Sequence, residues 1–135
     1  MIYNKPLTIS ADTAIAAPAS VSLPVVDGTL KQLFITFPAG CAGLVGVRVL
    51  FSERVIFPSN PDEWFIADNI TFDFGENLKI DDKPFSFDLE GYNLDCIFDH
   101  TVTFRMAIQK EKADLLSRLI GLLPPVRVSE GAIIE

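Results

Sequence analysis

His100 is the only histidine in the 135-residue chain, and imidazole is the side chain best suited to moving protons near neutral pH. A Ser-His-Asp or Cys-His system needs that ring oriented by a carboxylate and aligned with a nucleophile. Asp99 adjoins it, but neighbours on an extended chain point to opposite faces. His100 therefore reads as a polar residue opening a strand. No residue is assigned a catalytic role, and the chain is expected not to be an enzyme. Glycine-rich nucleotide motifs are missing too, so no cofactor is expected.

The other residue types that could do chemistry give equally little. Asp62, Glu63, Asp68, Asp73, Asp81, Asp82, Asp95 and Asp99 are of the type that ligates calcium, yet none has the spacing of a calcium loop. They read as solvated turn carboxylates, with no metal site. Cys41 and Cys96 are too few for a disulfide scaffold and lack zinc spacing. They are expected in turns at one end of the fold, where a disulfide and two free thiols both stay open. Trp64, Phe65 and Tyr92 lie near turns. Exposed, Trp64 and Tyr92 would suit a sugar ring; packed inward, they need partners for N–H and O–H.

The elements that must position these residues are written in the composition. Eleven Phe, nine Pro and eight Gly against two Met and one Trp favour strands and turns over packed helices. Apolar residues at 49% and charged residues at 21% suffice for one core, and the length suits one domain. The net charge of −7 is uneven: residues 1–108 hold 7 Lys or Arg against 14 Asp or Glu, residues 109–135 hold 4 against 4. An acidic body without a basic cluster repels phosphate backbones and anionic lipid heads, which argues against nucleic-acid and membrane partners. The most apolar stretch, Leu33 to Val47, is interrupted by Pro38, Gly40, Gly43 and Gly46 and is too short to span a bilayer.

Apolar residues alternate with polar ones through most of the chain. Leu33, Ile35 and Phe37 share a face, as do Val45, Val47, Val49 and Phe51. Shorter strands are expected at Arg54 to Phe57 and about Trp64 to Ala67. Ile70, Phe72 and Phe74 alternate next, then Leu78 and Ile80, then Phe85, Phe87 and Leu89. Val102, Phe104, Met106 and Ile108 come last. Eight or nine short half-buried strands at this spacing predict an all-β antiparallel β-sandwich or jelly roll over residues 1–108. Pro18 and Pro24 demote residues 1–26 to edge strands or an extended N-terminal arm.

After Ile108 the period changes. Leu115, Leu116, Leu119, Ile120, Leu122 and Leu123 fall on helical spacing, and Pro124-Pro125 ends that helix. Residues 109–135 are thus expected to form one short helix and an extended tail with Val126, Val128 and Ile133. So many aliphatic side chains must be covered, by the chain's own body or by a neighbour. These nine residues are the expected interface.

The run Phe37-Pro38-Ala39-Gly40-Cys41-Ala42-Gly43-Leu44-Val45-Gly46-Val47-Arg48, with Ile56-Phe57-Pro58-Ser59-Asn60-Pro61-Asp62-Glu63-Trp64-Phe65, Gly91-Tyr92-Asn93-Leu94 and His100-Thr101-Val102, resembles small β-sandwich accessory virion proteins of tailed phages and prophages. The likeness covers about residues 30–108 and carries over no functional residue. It implies a capsid decoration or cement subunit located in the virion. Such a subunit would bind other virion proteins and copies of itself, as a homo-oligomer with a trimer favoured. The alternative function is a carbohydrate-binding β-sandwich module using Trp64 and Tyr92.

Overall fold

The computed structural model describes residues 1–110, and every regular element among them is a strand. In chain order these are β1 (Ile2–Ile9), β2 (Ala19–Pro24), β3 (Gly28–Phe37), β4 (Val45–Phe51), β5 (Arg54–Phe57), β6 (Phe65–Ile66), β7 (Ile70–Ile80), β8 (Ser86–Asn93) and β9 (His100–Lys110). They form two antiparallel sheets: one of order β1-β9-β3-β7, the other of order β2-β8-β4-β5, with β6 also on β4. The described residues are thus all-β, with the two sheets packed as a sandwich.

Alternation decides which side chains fill the space between the sheets. Leu33, Ile35 and Phe37 of β3, Val45, Val47, Val49 and Phe51 of β4, Phe87 and Leu89 of β8, and Val102, Phe104, Met106 and Ile108 of β9 are all buried. Their neighbours in sequence face outward, as a period of two requires. Each buried aliphatic or aromatic side chain contributes about 1.5–3 kcal/mol relative to leaving it exposed, so this interior is the main source of stability.

The two open sides of the sandwich close differently. On one side β7 meets β5 and β6 through aromatic edges: Phe57–Phe74, Phe65–Phe72 and Phe65–Phe74 have ring centroids 5.7, 5.4 and 5.8 Å apart. On the other, β1 lies close over β8. There Gly91 has no side chain because Ile9 Cδ1 and Leu7 Cδ2 occupy that place.

Three expectations need correction. Of the two forms expected for residues 1–26, edge strands hold and the extended arm does not. β1 pairs β9 from Ile2↔Ala107 to Ile9↔His100, and β2 pairs β8 from Ala19↔Gly91 to Pro24↔Ser86. Both strands lie at sheet edges, where Pro6 and Pro24 leave no ladder donor unfilled. Gln109 and Lys110 are not helical either, because they extend β9 opposite Thr29 and Gly28. Finally, the strands expected separately around Ile70 to Phe74 and Leu78 to Ile80 are one strand. Phe72, Phe74, Leu78 and Ile80 keep one inward-facing set of alternate positions along it, and the register shift lies opposite Leu30 and Gln32, where the buried set of β3 passes from Leu30 to Leu33. The rest of the expected helix and tail, residues 111–135, lies outside the described residues.

Gly91→Ala tests how closely the sheets approach. Overfilling a packed interior costs about 1–3 kcal/mol, so the urea midpoint should fall with an unchanged slope; an unaltered midpoint would show that β1 and β8 have room to separate.

Candidate functional site

The ends of the sandwich are unlike one another. β1 and β3 finish, and β7 and β9 begin, at the end closed by the loops 10–18, 38–44, 67–69 and 94–99. These loops hold Asp12, Asp68, Asp95 and Asp99 and contain no Lys or Arg. Exposed apolar side chains gather there too: Ile15, Leu44, Leu94, Ile97 at 71% and Phe98 at 63%. Among the described residues the other large exposed apolar ones, Met1, Ile2, Val55, Ile66 and Ile70, sit at the N-terminus and on strands β1, β5, β6 and β7.

Backbone hydrogen bonds make one surface of the loops that carry these five residues. Leu94 N–H donates to Leu44 O (2.9 Å), Asp12 N–H to Asp95 O (2.8 Å), and Thr13 and Asn93 exchange two bonds at 2.8 and 3.0 Å. Asp68 fastens a further turn by accepting from the Gly40 and Cys41 amides at 2.8 and 3.0 Å.

Within that surface, residues 94–99 are held by a polar clasp. Asn93 is fully buried; its Nδ2 donates to Ile9 O (3.1 Å) and Phe98 O (2.9 Å), and its Oδ1 accepts from Asp95 N–H (2.9 Å). Asp95 Oδ1 accepts from the amides of Ile97 (2.9 Å) and Phe98 (3.3 Å), an Asx-type turn. Its Oδ2 lies 3.0 Å from His100 Nε2, and Asp99 Oδ1 accepts from Ala11 N–H at 2.8 Å. The Ile97 amide bond, then the His100 contact, hold the Asp95 carboxyl below the usual carboxylate range. Phe98 is thus displayed to solvent from a loop whose polar groups are bonded on both sides. A side chain fixed in this way loses less entropy on binding than one on a free loop.

The partner of His100 is Asp95, five residues away, and not its neighbour Asp99. The turn that brings Asp95 back under the ring was not legible from strand alternation. The ring thus closes a loop, with Nε2 on Asp95 Oδ2. Cys41 is buried and Cys96 exposed, and both are free thiols; burial, then the Asp68 charge, push the Cys41 thiol up.

Trp64 and Tyr92 do come together, but on each other. Their rings meet edge to face with centroids 4.9 Å apart, and the Arg48 guanidinium stands 4.2 Å from the Trp64 centroid while its Nε donates to Glu90 at 2.8 Å. Tyr92 is only 4% exposed, and its ring lies where a side chain on Gly46 would be. The paired exposed aromatics that sugar stacking needs are therefore lacking at this position. Leu115, Leu116, Leu119, Ile120, Leu122, Leu123, Val126, Val128 and Ile133, the expected interface, lie outside the described residues.

At the opposite end a recess of about 360 Å³ is lined by Ser22, Ser52, Glu53, Lys83, Pro84, Ser86 and Asp88. Ser22 and Ser86 hydroxyls bond each other at 2.7 Å, and Glu53, Lys83 and Asp88 supply the charged groups of the lining.

No protein-family model and no curated protein sequence matches the chain.

Two outcomes test the clasp. Asn93→Ala strands buried partners and should cost about 1–3 kcal/mol in urea unfolding; a smaller loss would mean that the loop does not depend on that amide. For Asp95 the folded pKa is lowered, so its contribution is fully present above the unfolded carboxylate value of about 3.9 and is lost as pH falls through the folded value. The stability gap between wild type and Asp95→Asn should therefore narrow on acidification, and a gap that widens would contradict the assignment.

Proposed function

We propose that this protein is a non-enzymatic assembly subunit that docks through the loop end of its sandwich. The observation that carries this reading is the exposure of Ile97 and Phe98 on a loop tied at both ends by the hydrogen bonds of Asn93 and Asp95. An exposed aromatic and an exposed β-branched residue side by side are costly in water, and the clasp around Asn93 is spent on keeping them outward. Apolar anchors in a preorganised loop, surrounded by acidic residues, match the pattern of a protein interface: buried centre, polar rim. The all-acid rim also selects against partners with anionic surfaces and favours cationic ones.

A virion is the setting implied by the resemblance to accessory proteins of tailed phages. A decoration or cement subunit there must contact other virion proteins or copies of itself, and a stable β body with one adhesive end fits that task. A homo-oligomer, a trimer for preference, is part of the proposal. The carbohydrate-binding alternative gains no support from Trp64 and Tyr92, whose rings are spent on packing.

Sedimentation of the full chain at micromolar concentration tests this reading. Wild type should sediment as a defined oligomer. Ile97→Asp with Phe98→Asp should sediment as a monomer and unfold at an unchanged urea midpoint, since both side chains are exposed. A doubly substituted protein that assembles like wild type would refute docking through this end.

A further inference from the structure

The apolar loop end and the leucine-rich segment that follows Lys110 are complementary in chemistry, and Lys110 itself stands at the pole opposite the loop end. Lys110 ends β9 opposite Gly28, with its ammonium 3.1 Å from Asp27, so the chain leaves the described body at the pole away from Phe98. From residue 115 to residue 128 the only charged side chains are Arg118 and Arg127, set among Leu115, Leu116, Leu119 and Ile120. The loop end offers the reverse combination: apolar residues with Asp12, Asp68, Asp95 and Asp99 and no cation.

From this pairing, and resting on the docking reading above, we infer that the occupant of the loop end is the 115–128 segment of a second copy of the chain. Reach excludes the same copy for the first leucines. Leu116 is six residues beyond Lys110 and lies within about 22 Å of it even when fully extended. The ten steps of β9 from Lys110 back to His100 span about 33 Å, and the Phe98 loop lies beyond His100. Leu115 and Leu116 therefore seat on a neighbour's loop end or not on a loop end at all.

Such a contact is head-to-tail: one surface of each copy meets a different surface of the next. Contacts of this kind close into a ring when the rotation between copies allows, and otherwise extend into a filament. Each copy keeps one donor segment and one acceptor end. Apolar burial supplies the attraction, and the arginines facing aspartates set orientation and speed of encounter.

The test uses full-length chains altered on one side of the contact at a time. Phe98→Asp damages the acceptor and leaves the donor; Leu115→Asp with Leu116→Asp damages the donor and leaves the acceptor. Each protein alone should have the mass of one chain. Mixed in equal amounts they should form a complex of twice that mass, because the intact donor of the first fits the intact acceptor of the second. Ile97→Asp should replace Phe98→Asp in the mixture with the same result. A mixture that stays at the mass of one chain overturns the inference, as does a donor variant that alone keeps the wild-type mass. If the donor variant assembles while the Phe98→Asp protein does not, docking through the loop end stands and only the occupant is wrong.

Discussion

A buried side-chain amide has to find partners for its donors and its acceptor, and Asn93 finds all of them where the two sheets meet. Its backbone pairs with Val45 in β4 and with Thr13, while its side chain reaches Ile9 at the end of β1 and both ends of the following loop. One residue of the second sheet thereby fixes the end of the first sheet and the course of residues 94–99. The interior can close around Ile9 and Val45, both fully buried, because no polar atom of Asn93 is left without a bond.

That constraint also determines what faces outward. With Asn93 and His100 turned in, the amides of Ile97 and Phe98 are taken by Asp95 and the Phe98 carbonyl by Asn93. Ile97 and Phe98 are left facing solvent. The exposed apolar character of this end is thus a consequence of how the strand ends are tied. The acidic loops around it give the surface its sign. Elsewhere the outer faces carry ordinary polar ladders, such as the threonine pairs Thr8–Thr101 and Thr36–Thr71 at 2.9 and 3.0 Å.

Strand alternation made much of the fold legible. Leu33, Ile35 and Phe37, like Val102 to Ile108, point inward as a period of two requires, because burial of one face leaves little freedom in register. The features that escaped are those with no periodicity. Prolines marked β1 and β2 as peripheral but did not distinguish a paired edge strand from a loose arm; pairing with β9 and β8 depends on distant residues. The register shift between β3 and β7 hid one strand as two. The clasp escaped because Asn93, Asp95 and His100 are a turn's own hydrogen bonds, and alternation is silent inside turns. A signal was present nonetheless: Asn93 and Asp95 are residue types that bond the backbone two positions on, and Ile97-Phe98 is an apolar pair in a segment too short to be a strand.

The central claim is that the loop bearing Ile97 and Phe98 is rigid while its side chains face solvent, and backbone ¹⁵N relaxation measures this directly. Order parameters for Ile97 and Phe98 should be about 0.8 or higher, close to those of β8 and β9, since rigid backbone gives about 0.85. Values below about 0.6, the range of flexible backbone, would contradict the account: the apolar pair would then belong to a wandering loop and not to a prepared surface.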